Sequence, residues 1–411
     1  MPVTTLFRNA AVLDAERGEL DGDRSVLVVG DRIAEVGAAN EVRPPSPDRV
    51  VDLRGRTLMP GLVDAHVHVY VQSMDLSQVE SWLPSYLVPK AAKALGEMLR
   101  RGFTTVRDVG GADFARAQSI EAGLGAGPRL IHGGPALSQT GGHGDFRSRG
   151  DFGTHGCLRC PTIFRLADGT DEVRRVVRDV LRGGAHHIKL MLSGGVLSPT
   201  DSITSVQYTA EEIAVAVREA GAAGKYVTGH TFLAGAINSA LRQGVRCVEH
   251  GNFIDDTSVE LFIEHDAFLV PTLTIVRAIQ ELGPAMGLSG EVLAKSAEVF
   301  DAGMTALERA HRGGVNLVYG TDLLGDLQTR QLEELTLRAE VQPPADLIRS
   351  ATTTPARLLG MAGEIGVVAP GAYADLLVVD GDPLAGISVL TAPERHLNLV
   401  MKAGTVYYDT M

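Results

Sequence analysis

Eight short apolar segments, each reading as a strand and separated by stretches with helical spacing, constrain the fold of this 411-residue chain more than any other feature. They cover residues 60–68, 104–109, 128–133, 187–193, 226–230, 246–250, 268–273 and 316–321. Between them lie runs such as Ala210-Glu-Glu-Ile-Ala-Val-Ala-Val-Arg-Glu-Ala and Ala234-Gly-Ala-Ile-Asn-Ser-Ala-Leu-Arg, whose apolar residues recur at helical intervals. Eight strands, each followed by a helix, close into a barrel, so the expected class is α/β with a (β/α)8 TIM barrel. The length exceeds that of an ordinary single domain, but barrels with appended segments reach it. Residues 1–57 read differently, as short strands with turn punctuation (Thr4-Leu-Phe-Arg-Asn-Ala-Ala-Val-Leu-Asp, then Ser25-Val-Leu-Val-Val). The tail repeats that style in Ala374-Asp-Leu-Leu-Val-Val-Asp, and the two terminal segments together suggest one small β-sandwich.

The first barrel segment ends in His66-Val67-His68. Side chains alternate across a strand, so both imidazoles point to one face and can reach one cation, each offering a neutral nitrogen to a metal such as zinc. Histidines two apart on a half-buried strand are also commonly just packed and hydrogen-bonded. Other ligand types recur downstream. Lys189 sits among Ile188, Leu190 and Met191, where an ammonium is expensive to bury without a partner. It reads either as a snorkelling or ion-paired lysine or as an amine neutralised by burial, able to take up carbon dioxide and become a two-oxygen carbamate that bridges two cations. His230 and His250 end apolar stretches, and each alone also reads as a satisfied core histidine. Asp322 follows an apolar strand and Gly320-Thr321, a place equally suited to a helix N-cap.

Composition narrows the function classes. The net charge is -12 with a pI near 5.5, and lysines and arginines form no long basic run, which argues against a nucleic-acid partner. No apolar run approaches the roughly 20 residues needed to span a bilayer, and no signal-like leader is evident at the N-terminus. The expected partner is a small-molecule substrate, with no membrane, in a cytoplasmic setting. Three cysteines cannot build a disulfide framework. Cys157-Leu-Arg-Cys160, close to His155, reads as a reduced loop element or as half a zinc knuckle, and Cys247 reads as core.

In order along the chain, His-X-His, Lys, His, His and Asp at strand ends resemble the amidohydrolase superfamily, specifically its binuclear members with a bridging carboxylated lysine. The resemblance extends from Val51-Asp-Leu-Arg-Gly-Arg-Thr-Leu-Met-Pro-Gly-Leu-Val-Asp-Ala-His-Val-His through Ser350-Ala-Thr-Thr-Thr-Pro-Ala to Gly366-Val-Val-Ala-Pro-Gly-Ala-Tyr-Ala-Asp-Leu-Leu-Val-Val-Asp. It implies a barrel over residues 58–362 and a discontinuous β domain from residues 1–57 and 363–411. It further implies two divalent ions, zinc first among the candidates: His66 and His68 with Asp322 at one, His230 and His250 at the other, and carboxylated Lys189 at both. A hydroxide bridging the ions would attack the substrate, and Asp322 would move its proton to the leaving nitrogen. Members of the superfamily often form homo-oligomers.

Two loops narrow the resemblance. Leu137-Ser-Gln-Thr-Gly-Gly-His-Gly-Asp, which presents His143 among glycines, and Ser193-Gly-Gly-Val-Leu-Ser resemble the prolidase-like enzymes, with imidazolonepropionase-like and ochratoxin-hydrolysing relatives. The implied activity is hydrolysis of the amide bond of a dipeptide or N-acyl amino acid, as by a Xaa-Pro dipeptidase or carboxypeptidase. His143 would stabilise the oxygen charge that develops, although a loop histidine also serves to cap a turn. The group typically carries a tyrosine two residues after its strand-5 histidine. Phe232 stands here, so a lost hydroxyl contact would fall to Tyr70, if not a core residue, or to Arg147, if not a solvated loop charge. Arg107 and Asp108 could line the site, and Asp108 could instead cap a turn. An ochratoxin-type amidase, a cyclic-amide hydrolase and a lactonase use the same groups. A metal-free scaffold, like the dihydropyrimidinase-related proteins, would be marked by lost ligands, and none is lost.

Overall fold

A computed structural model describes residues 2–42, 46–147, 163–198 and 201–411. Its barrel strands are β1 Leu62–Val67, β2 Phe103–Asp108, β3 Arg129–His132, β4 His187–Met191, β5 Tyr226–Leu233, β6 Cys247–Phe253, β7 Phe268–Val270 and β8 Asn316–Leu317. Neighbours pair in parallel from β1 to β3 and from β4 to β8. Backbone bonds join these arcs, among them the Ala65 amide donating to Tyr319 O at 2.9 Å and the His186 amide to His132 O at 2.8 Å. Every residue of β1, β2 and β4 is buried, as befits strands covered on both faces.

Helices pack outside by apolar stripes. In Ala210–Ala222, opened by a capping box between Thr209 and Glu212, Ile213, Ala216 and Ala220 share a cluster with Val173, Val176 and Val180 of Gly169–Arg182. Two short strands not anticipated from sequence, Ala136–Ser138 and Phe164–Leu166, extend the sheet beside β4.

The terminal segments form one eight-stranded mixed sheet. Thr4–Asp14, Glu19–Val29, Arg32–Ala38, Arg49–Asp52 and Thr57–Pro60 meet Leu376–Val379, Leu397–Lys402 and Thr405–Asp409. Phe7, Val26, Ile33, Leu58, Leu376, Leu399 and Met401 are its common core. The expected first barrel strand, 60–68, is thereby divided: Thr57–Pro60 belongs to the terminal sheet and the barrel strand begins at Leu62. Gly61 makes the passage, because a Cβ there would lie 2.1 Å from Thr104 Oγ1. Gly61→Ala is expected to destabilise the fold by about 1–3 kcal/mol, the usual range for overpacking. Urea unfolding checks this, and an unchanged midpoint would refute the close approach.

Among the described residues no helix is long and apolar enough to cross a membrane. Cys247 is buried and free, whereas His155, Cys157 and Cys160 lie outside the described residues.

Candidate metal centre and active site

His66 is near the end of β1 and His68 just beyond it, Lys189 is in β4, His230 in β5 and His250 in β6, and Asp322 follows β8. All six face one cavity of about 750 Å3, open mouth included, at the carboxyl ends of the strands. His66 Nε2 and His68 Nε2 each lie 3.2 Å from Asp322 Oδ1, and ligand atoms of these three residues all fall within 4.8 Å of one another. The His66 ring is 5.2 Å from that of His250, which is 4.5 Å from that of His230.

The backbone that aims these groups is strained where it matters. Asp322 (φ 56°), His250 (φ 74°) and Thr272 (φ 51°) all adopt left-handed conformations without being glycine. The Asp322 amide donates to His66 O at 2.8 Å. Buried Asp64 secures the same turn, accepting from Thr321 Oγ1 and Gln331 Nε2, both at 2.8 Å, and from the His66 amide at 3.0 Å. Asp108 accepts from the amides of Val69 (2.6 Å), Gly110 (2.9 Å) and Ala112 (3.0 Å), so it caps the turn beyond His68 rather than lining the cavity.

Hydrogen bonds on the far side of each ring set its free nitrogen. His66 Nδ1 faces Glu249 Oε2 at 2.8 Å, His68 Nδ1 faces Gly110 O at 2.9 Å and His250 Nδ1 faces Thr272 Oγ1 at 2.6 Å, which leaves Nε2 of each to the cavity. His230 is reversed: Nε2 faces Gly194 O at 3.3 Å and Nδ1 is left. Burial pushes His230 and His250 well below the usual imidazole range, so both are neutral donors. Burial, with Arg107 nearby, likewise brings the Lys189 amine down to about 8. For Asp322, burial alone would raise the carboxyl, but His66 and His68 outweigh it and keep it ionised. Neutral imidazoles, a carboxylate and a lysine with access to its unprotonated form are a donor set suited to divalent ions.

His143 stacks on His230, ring centres 4.3 Å apart. The loop glycine opposite permits this, since a Cβ on Gly195 would sit 2.0 Å from His143 Cε1. Burial lowers the ring to about 4, and its Nδ1 is enclosed with no hydrogen-bond partner among the described residues. Phe232 also lines the cavity, packed edge-on to His230 at 4.9 Å. Tyr70 and Arg147 are not among the described lining residues. Tyr70 is buried in the core, and Arg147 turns to Asp145, Nη2 to Oδ2 at 2.6 Å. The rest of the described wall is apolar, with Val71, Phe146, Phe164, Ile275, Val276 and Ile279 prominent.

Sequence reasoning left Glu249 unweighed and had Arg107 as a residue that could line the site, whereas Arg107 lies behind the cavity wall. Both are wholly buried, and Arg107 Nη2 donates to Glu249 Oε1 at 2.7 Å. A signal existed: a carboxylate inside the apolar run Cys-Val-Glu-His needs a partner as much as Lys189 does.

Comparison with known proteins agrees with this geometry. The amidohydrolase family model matches residues 57–407. Ochratoxinase of Aspergillus niger is 30% identical over 93% of this chain and 82% of its own. Among solved structures, an amidohydrolase superposes with TM-score 0.96 at 44% identity, with all of both chains covered. A prolidase in complex with N-methylphosphonate-L-proline gives TM-score 0.95 at 42% identity, covering 99% of this chain and 100% of its own. With a barrel carrying an imidazole and carboxylate cluster at its strand ends, the chain belongs to the amidohydrolase family and is a metal-dependent hydrolase acting on C–N bonds.

Proposed function

We propose that this chain hydrolyses the amide bond of a dipeptide or N-acyl amino acid that carries a bulky apolar group, in the manner of a Xaa-Pro dipeptidase or carboxypeptidase. The observation that carries the reading is the apolar wall of Val71, Phe146, Phe164, Ile275, Val276 and Ile279 facing the ligand cluster. Sequestering a leucine- or phenylalanine-sized side chain there contributes about 1.5–3 kcal/mol, or roughly 10- to 100-fold in kcat/KM.

His66, His68 and Asp322 would hold one divalent ion, His230 and His250 a second, and Lys189, carboxylated, both, with zinc the expected metal. Such a pair, when bound, supplies hydroxide at neutral pH and polarises the scissile carbonyl. Asp322, ionised and within reach of both first-strand histidines, accepts the proton of the attacking water and returns it to the leaving nitrogen, so the C–N bond breaks with a neutral amine departing. His143, a neutral ring at the cavity wall beside His230, would donate to the carbonyl oxygen as charge builds on it.

An ochratoxin-type amide is the second reading, favoured by Phe232, which adds an aromatic face where related enzymes offer a hydroxyl. Zinc-loaded enzyme assayed on L-Xaa-L-Xaa dipeptides and N-acyl amino acids, with metal counted on the same sample, tests both. Turnover concentrated on bulky apolar substrates at two metals per chain is expected. Silence across the panel with both metals bound would overturn the amide reading in favour of cyclic amides or lactones.

A further inference from the structure

The four imidazoles of the ligand cluster, His66, His68, His230 and His250, face the cavity, but their supports differ in charge. His68, His230 and His250 lean on neutral acceptors, namely Gly110 O, Gly194 O and Thr272 Oγ1. Among the described residues, His66 is the one of the four backed by a carboxylate, Glu249 Oε2, at 2.8 Å. Hydrogen bonds to an ionised acceptor are roughly twice as strong as neutral ones. A carboxylate behind a ligating imidazole also raises its basicity and fixes its ring.

The carboxylate is itself held. Glu249 Oε1 accepts from Arg107 Nη2 at 2.7 Å and from Thr228 Oγ1. Arg107 Nε donates at 2.6 Å to Ala65 O, the carbonyl immediately before His66, so the pair is clamped to the strand it supports. Neither residue lines the cavity, and both have no exposed side-chain surface.

We infer that Glu249, locked by Arg107, is a positioning residue that makes the His66/His68 site the tighter of the two metal sites, so that the ions enter in order, this site first. The inference rests on the two-metal reading above. It predicts ordered filling for the native chain and loss of that order when the charge behind His66 is removed.

The test is a cobalt(II) titration of chelator-stripped protein in bicarbonate buffer, read by visible absorption and by metal bound per chain. Native protein is expected to show two resolved steps. In Glu249→Gln the first step should weaken by about 10- to 100-fold, the range for loss of such a partner, while the second stays unchanged. Because Glu249→Gln leaves Arg107 as an uncompensated buried cation, the neutral double variant Arg107→Met with Glu249→Gln is titrated alongside, with its unfolding midpoint as a control. It should reproduce the weakened first step. Two unresolved steps in native protein, or an unchanged first step in both variants, overturns the inference and leaves the two-metal reading standing. A native chain that binds no cobalt overturns both.

Discussion

Asp322→Asn is expected to lower kcat by about 100- to 10,000-fold, the range for removing a positioned acid–base group, while the protein keeps its metals. Asparagine retains an oxygen where Asp322 Oδ1 lies 3.2 Å from His66 Nε2 and His68 Nε2. What it loses is the capacity to take a proton. The same substitution leaves the backbone amide free to donate to His66 O, so the left-handed turn at φ 56° is favoured as before, asparagine being one of the residues most tolerant of it. Metal content by atomic emission and steady-state rates on one preparation check this. Near-native turnover at two metals per chain would remove Asp322 from the proton path, and loss of metal would make it chiefly a ligand.

The second large effect concerns Lys189. Its stem is buried among apolar neighbours, and among the described residues no carboxylate lies within ion-pairing distance of its amine. If Lys189 carries the proposed carbamate, Lys189→Ala is expected to reduce metal content below two per chain and to lower kcat/KM by about 1,000-fold or more, since several kcal/mol of charge stabilisation would go with the carbamate oxygens. Acetate or propionate in millimolar amounts should restore part of the activity by placing a carboxylate in the vacated space. Lys189→Arg, which keeps a cation but cannot form the carbamate, should not recover it. An active arginine variant would show that a positive charge suffices at this position.

Much of this was legible in the chain because burial leaves a mark on composition. In a strand buried along its whole length, such as β4, a lysine or histidine among Ile188, Leu190 and Met191 stands out. Tyr70 shows the limit of that logic. Alternation carries from His66 to His68, but the strand ends there: the Val71 amide turns back to His68 O at 3.2 Å, and Tyr70 goes into the core. Arg147 illustrates another limit, since a loop cation beside an aspartate two residues away finds its partner locally. Strands of three residues, such as Ala136–Ser138, are fixed by the neighbours they pair with and leave no periodicity to read. The Arg107–Glu249 pair needed the folded barrel to bring β2 and β6 together, 142 positions apart in sequence.

Helix Leu273–Leu282 ties selection to catalysis mechanically. Its N-cap, Thr272, holds His250 at 2.6 Å; Glu334 grips the next turn through the Thr274 amide at 2.8 Å; and one face presents Ile275, Val276 and Ile279 to the cavity. A new specificity can therefore be drawn by exchanging side chains along that face, one at a time, on a backbone that stays put. Insertions or deletions in the same segment would drag His250 with them. Lineages that diversify on this scaffold should then vary in the identity of residues 275, 276 and 279 while keeping the length between His250 and Leu282 constant.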